Sequence, residues 1–277
     1  MKHDVYVYPE LSDKDFGWFR LSGPGLANCL FIAARAYILS KELNAHLISP
    51  TWEKLSIGPI LRGESDKRHY IGLFRRLGVC GWKKIILLMK AKLGYKQFIK
   101  VAGLKNYFYD FRNQEKEVRK YIENIIVPRA VRRVDRELIK DSIAVHIRLG
   151  DYVQSNRIPI QWYIDIIKNI NNVAPNRDIL IFSDGTDEEL KPVTSLPNAK
   201  RVFYGNALAD IYAISSCSMV IASDSTFSAW GAFLGAKPII FSKRHFMPVY
   251  SQGAIPEFVL NESTSLPDDI ISYLQNN

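Results

Sequence analysis

Short apolar runs separated by segments of helical periodicity punctuate the second half of the chain. The runs fall at residues 143–148, 179–183, 201–204, 219–223 and 238–241, and their length favours strands. Helical patterns occupy 161–171, 187–190, 207–216 and 226–234, with a last one at 268–274. Strands alternating with helices at this spacing specify a parallel sheet with crossover helices. The first half opens the same way. Strand candidates lie at 5–8 and 18–22, followed by a glycine-rich turn at 22–28. A helix over about 27–43 places Leu30, Phe31, Ala34 and Ile38 at helical spacing, and a strand follows at 46–49. Between 60 and 140 the chain reads as helical and basic, without a legible topology. The halves meet near 128–142. The expected fold is therefore α/β, with two Rossmann-type domains, 1–140 and 141–277, facing across a cleft.

One run carries side chains that a buried strand does not need. In Val-His-Ile-Arg-Leu-Gly-Asp-Tyr, residues 145–152, Val145 and Ile147 continue one face of the strand from Ile143. Ala144, His146 and Arg148 take the other face. Gly150 and Asp151 then end the strand. Ligands of open α/β sheets bind at the carboxyl ends of the strands, and a guanidinium matches the geometry of a phosphate. An anionic nucleotide is the expected ligand.

Other strand ends are polar in the same way. Ala222-Ser223-Asp224-Ser225-Thr226-Phe227-Ser228-Ala229-Trp230 leads from a strand into a helix. The unpaired N–H groups and positive dipole end of that helix, with the Ser225 and Thr226 hydroxyls, would cradle a phosphate. The same residues are also ordinary N-cap choices. Asp184 in Phe182-Ser183-Asp184-Gly185 reads either as an acceptor for a base or ribose or as a turn residue. Asp210, at the start of a helix, is open to the same two readings.

Several familiar chemistries are excluded. Gly23-Pro24-Gly25 lacks the Lys-Ser/Thr ending of a Walker loop, and Asn28 breaks G-x-G-x-x-G, so it reads as a tight turn. Asp13-Lys14-Asp15, the only Asp-x-Asp, reads as a surface loop, and no metal is expected. There is no G-x-S-x-G elbow, no H-E-x-x-H and no Cys near a His. Cys29, Cys80 and Cys217 are odd in number and widely spaced. They read as buried small hydrophobes in a reducing compartment.

The net charge of +9 is concentrated: twelve Lys/Arg stand against two acids between positions 62 and 105. Basicity thus belongs to a segment, and with no recognition module nucleic-acid binding is not expected. Within it, residues 82–93 read as a basic, strongly apolar helix. Such a helix suits an anionic membrane surface; alternatively Ile85, Ile86, Leu88, Met89 and Leu93 pack in the core and the lysines are merely solvated. No signal peptide or spanning segment is visible.

Taken together, these motifs resemble glycosyltransferase family 11, the α-1,2-fucosyltransferases. The H-x-R-x-G-D-Y of residues 146–152 resembles that family's first motif. Ser-Asp-Ser-Thr-Phe-Ser-Ala-Trp at 223–230 is similar to its S-N-S-S-F-S-W-W, and Phe182-Ser183-Asp184 to its F-S-D-D. The turn with Asn28, Leu30 and Phe31 resembles its G-G-L-G-N-Q-L-F opening. The motifs keep their order over residues 18–235.

The resemblance implies a GT-B fold and a metal-independent, inverting transfer of L-fucose from GDP-β-L-fucose, with no cofactor beyond that donor. It implies Arg148 on the diphosphate, His146 and Asp210 by the guanosine, and Ser225 and Thr226 by the phosphates. Gly25, Asn28, Asp184, Ser223, Phe227 and Ser228 complete the expected donor set. Arg148, Asp151 and His146 are the expected catalytic residues, with Asp151 as acceptor base or as the group orienting Arg148. The expected acceptor is a galactoside hydroxyl of a surface glycan, joined in α-1,2 linkage. A cytoplasmic enzyme held at the inner membrane face through 82–93, near lipid-linked acceptors, would fit. Another GDP-sugar transferase or fucosyl linkage, or a non-catalytic nucleotide-sugar-binding module, are the alternatives. Three departures stand out: Leu149 replaces a second arginine, Ala27 replaces a glycine, and Trp230 stands alone where the family has a pair.

Overall fold

The computed structural model describes residues 5–56, 66–95, 98–150, 157–244, 248–251, 253, 255–261 and 265–276. The chain divides into two compact units, Met1–Arg132 with Asn206–Leu208, and Arg133–Gly205 with Ala209–Asn277.

In the first unit, β1 (Tyr6–Pro9) is buried along its whole length and lies between β4 (His46–Leu47) and β6 (Ile99–Val101). Both neighbours are parallel to it. Helix α1 (Leu26–Glu42) covers the sheet and buries Leu30, Phe31, Ala34 and Ile38, the positions its periodicity marks. It stops at Asn44, which takes a left-handed φ of 48°; the Ala45 N–H then returns to the Ser40 carbonyl at 2.8 Å. A short hairpin, β2 (Lys14–Asp15) with β3 (Arg20–Leu21), pairs further with β5 (Lys54–Leu55). Helices α2 (Gly81–Lys92) and α3 (Glu115–Ile125) follow, α3 burying Val118, Tyr121, Ile122 and Ile125 on one face.

Here the structure departs from the sequence reading in three places. Strand β6 lies inside the stretch read as helical: only Val101 of its three residues is buried, so no alternation announces it. The strand expected at 18–22 shrinks to Arg20–Leu21. Asp15, expected on the surface, is 5% exposed and accepts hydrogen bonds from the Tyr8 hydroxyl at 2.5 Å, Thr51 Oγ1 at 2.7 Å and the Gly17 N–H at 2.7 Å.

The second unit carries one six-stranded sheet, all parallel, in the order β12-β11-β10-β7-β8-β9. Its strands are β7 (Ile143–Ile147), β8 (Ile179–Ser183), β9 (Ala199–Arg201), β10 (Met219–Ala222), β11 (Ile239–Phe241) and β12 (Glu257–Val259). Counted from β7, that is the 3-2-1-4-5-6 order of a Rossmann sheet. Strand β9 ends three residues before the expected 201–204 run does, and β12, three residues with no buried side chain, had no sequence signal. The crossover helices are α5 (Ile160–Val173), after the one-turn α4 (Arg136–Ile139), then α6 (Asp187–Thr194), α7 (Ala207–Ser216), α8 (Thr226–Gly235) and the terminal α9 (Asp268–Asn276). Ile143, Val145 and Ile147 pack with Ile166, Ile167 and Ile170 in a fully buried cluster.

Helices α7 and α8 touch at a glycine. A Cβ on Gly231 would sit 2.3 Å from Ile214 Cγ2 and 2.7 Å from its Cβ, an atom with no rotamer freedom. Gly231→Ala is expected to destabilise the chain by about 1–3 kcal/mol through overpacking, despite alanine's better helix propensity. Chemical unfolding measures it, and a stability unchanged or raised would contradict the close approach.

Candidate nucleotide site at the sheet switch point

The order of the six-stranded sheet reverses between β7 and β10. The carboxyl ends of those two strands therefore open onto the crevice where α/β sheets hold ligands. His146 and Arg148 leave β7 here, and residues 223–228 leave β10.

His146 is buried, at 6% exposure. Its Nδ1 lies 2.7 Å from Ser223 Oγ and 3.2 Å from Ser228 Oγ. Phe227 stacks on the ring at 5.0 Å between centroids, tilted by 26°. Burial outweighs the Asp184 charge and lowers the imidazole pKa to about 4. His146 is therefore neutral at pH 7, too weak a base to accept an acceptor proton there and fixed by its hydroxyl partners.

Arg148 follows the strand end. Its guanidinium meets Asp184 Oδ2 at 2.6 Å, with both side chains about one-fifth exposed. The other carboxylate oxygen, Oδ1, accepts from the Leu149 N–H at 2.9 Å and the Gly150 N–H at 3.1 Å. Burial pushes the Asp184 carboxyl up, but Arg148 and the two amides prevail and hold it below the usual range. Asp184 thus grips the β7 end. Its carboxylate is shared between the Arg148 guanidinium and the two backbone amides. Gly150 is required: a Cβ there would stand 2.5 Å from Asp184 Oδ2.

At the β10 end, Ser225 caps α8, its side chain accepting from the Phe227 N–H at 3.2 Å. Ser223 and Ser228 are almost fully buried. Their hydroxyls both lie against His146 Nδ1. Thr226 stands at the first turn of α8, half-buried. Asp210 accepts from the Tyr204 N–H at 2.8 Å through Oδ1, and Tyr204 stacks against Phe182 at 6.3 Å. Asp151 lies outside the described residues.

Leu149 explains its own departure. It is 3% exposed and belongs to the core cluster of Ile143, Val145 and Ile147. Strand alternation continues past β7 and turns it away from Arg148. Its Cδ1 lies 2.5 Å from where a Cβ on Gly185 would be, so the turn after β8 packs directly on it.

Gly25 and Asn28 belong to the first unit. Gly25 is the N-cap of α1, without a side-chain cap. Asn28 lines a pocket of about 420 Å³ with Glu10, Ser12, Asp13 and Pro24. Beneath the turn, Arg20 is fully buried and donates to the Thr51 and Ser22 carbonyls at 3.1 and 2.6 Å and to Cys29 Sγ at 3.2 Å. Gly23 takes a φ of 88°, and a Cβ there would strike the Leu11 carbonyl. Cys29 and Cys217 are buried, but Cys80, expected with them, is exposed where it precedes α2. Among the described residues no cluster of three His, Cys, Asp or Glu could hold a metal.

The strand order, with a buried imidazole and a paired guanidinium at its switch point, defines an α/β protein, and the fold is of the GT-B class. The model of glycosyl transferase family 11 matches residues 90–242, more than half of the chain, and the chain belongs to this family. The O-antigen biosynthesis glycosyltransferase WbnK of Escherichia coli is 28% identical over 104 residues, 34% of each protein; the match spans about a third of that relative's length. The structure of the α-1,6-fucosyltransferase NodZ co-crystallised with GDP aligns with a TM-score of 0.50 at 14% identity, over 86% of this chain and 94% of NodZ. A NodZ structure from Bradyrhizobium aligns at 0.47 and 14%, over 86% and 96%.

Proposed function

We propose that the chain transfers L-fucose from GDP-β-L-fucose, with inversion, to a galactoside hydroxyl of a surface glycan in α-1,2 linkage. The observation that carries this reading is Arg148 held by Asp184 at the carboxyl end of β7, beside the N-terminus of α8. Family membership and the motif around Arg148 support the fucosyl donor. The GDP in the NodZ complex and the O-antigen role of WbnK are consistent with donor and acceptor class.

In the proposed reaction the acceptor oxygen attacks fucose C1 and GDP leaves from the opposite face. Negative charge grows on the β-phosphate as the C1–O bond breaks. Arg148 and the backbone N–H groups at the start of α8 stabilise that charge without reorganising. His146, neutral and pinned, shapes the donor pocket and moves no proton. Asp184 takes over the orienting of Arg148, which leaves Asp151 as the proposed acceptor base. With 82–93 near a membrane, a lipid-linked acceptor would suit this chemistry.

Two measurements test the reading. GDP, UDP and CDP are added separately during thermal unfolding; a ligand at a hundredfold its Kd raises stability by about 2.7 kcal/mol. GDP is expected to give the largest shift, and a preference for UDP would undo the donor assignment. GDP release from GDP-fucose is then followed with and without lactose. Release that depends on the galactoside supports the transferase; tight GDP binding without turnover across an acceptor panel favours a binding module.

A further inference from the structure

We propose that the first unit docks on an anionic lipid bilayer through one rigid surface, built from helix α2 and the tip of the β2–β3 hairpin. On α2 and just past its end, Trp82, Ile86, Met89 and Leu93 recur at intervals of four, three and four, forming a single stripe. That stripe faces water: the four side chains are 69%, 51%, 58% and 68% exposed. The opposite face holds the helix down, with Leu87 and Leu88 packed against Tyr6, Tyr8 and Ile48.

The hairpin tip extends the stripe. Phe16, Trp18 and Phe19 are 50%, 44% and 37% exposed. Trp18 meets Trp82 edge-on at 4.9 Å, and Phe16 stacks with Phe19 at 5.1 Å. Gly17, at φ 88°, lets the tip lie directly on α2: a Cβ there would be 2.8 Å from Ile85 Cγ1. Beneath the junction Asp15 binds the Gly17 N–H and Thr51, and buried Lys84 donates to Thr51 at 2.5 Å. These polar contacts fix hairpin and helix together, so the apolar side chains are presented in advance of any partner. Lys84, expected among the surface lysines, belongs to this anchor.

Charge selects the occupant. Lys83, Lys90 and Lys92 flank the stripe and are exposed, with Lys92 5.8 Å from the Phe16 ring. No Asp or Glu occurs from position 67 to 109. A second copy docked isologously would set these lysines against their own kind. An anionic bilayer takes apolar and aromatic side chains into its interface and pairs the lysines with headgroups. Among the described residues no helix is long and apolar enough to cross a membrane, so the contact is one of lying on the surface.

The test uses the full chain without donor or acceptor, so its result is independent of the transferase reading. Sedimentation with equimolar phosphatidylglycerol–phosphatidylcholine vesicles should carry the protein down, and pure phosphatidylcholine vesicles far less. Removing three lysines, as K83Q/K90Q/K92Q, should weaken partitioning about a hundredfold. W82S/M89S should weaken it on the apolar side and abolish a blue shift of tryptophan emission. All five side chains are exposed, and an unchanged Tm shows that the variants fold. No binding to the anionic vesicles overturns the proposal. So does binding that both variants retain, or a dimer in sedimentation velocity that the same substitutions dissolve.

Discussion

Arg148→Ala is expected to lower turnover by about two to three orders of magnitude, the cost of losing one preorganised donor aimed at developing charge. A loss of tenfold or less would remove Arg148 from the transition state. The grip of Asp184 makes the experiment more discriminating. Asn at 184 keeps an oxygen for the Leu149 and Gly150 amides but gives up the ion pair with the guanidinium. Asp184→Asn should therefore cost less, about tenfold, with the GDP thermal shift largely kept. If Asp184 acts through Arg148, the two substitutions combined should cost little more than Arg148→Ala alone. Additive losses would mean that Asp184 has a separate role.

The second large effect is a loss of stability in acid. The folded His146 imidazole titrates near pH 4, against 6.5 for the ordinary side chain, because burial disfavours its cation. Between those values the unfolded chain binds more protons than the folded one. The stabilisation from keeping this ring neutral is complete above pH 6.5 and is lost as pH falls from 6.5 through 4. Denaturant unfolding at pH 7 and pH 4.5 should show that loss in the parent chain and a smaller one in His146→Gln. An equal loss in both would assign the acid sensitivity elsewhere.

Much of the second unit was legible because its strands are buried on both faces. Ile143–Ile147 and Ile179–Ser183 are short, mostly apolar runs of strand length, and their alternation with helical segments pointed to a parallel sheet. Their polar ends marked the ligand side of the sheet, while the switch point came only with the strand order. The edges were not legible: Glu257–Val259 is held by hydrogen bonds to one neighbour and buries no side chain, so no periodicity betrays it. Ile99–Val101 was hidden in the same way. At the site, residue types marked the place and missed the division of labour. The contacts of the Ser223 and Ser228 hydroxyls with His146, 77 and 82 residues away in sequence, had no sequence signal. Asp184 looks like a turn residue or a ligand until Arg148 is found on it.

The pairing of β7 with β10 also sets when the site comes into being. Met219 aligns with Ile143 and Ile221 with Val145, so His146 meets Ser223 only in that register. A slip of one residue would turn the imidazole to the other face of the sheet. Some seventy residues of intervening chain, which carry β8 and β9, separate the two strands, a closure of high sequence separation. The crevice thus depends on this one long-range pairing: a chain cut before β10 has no weakened version of it to offer.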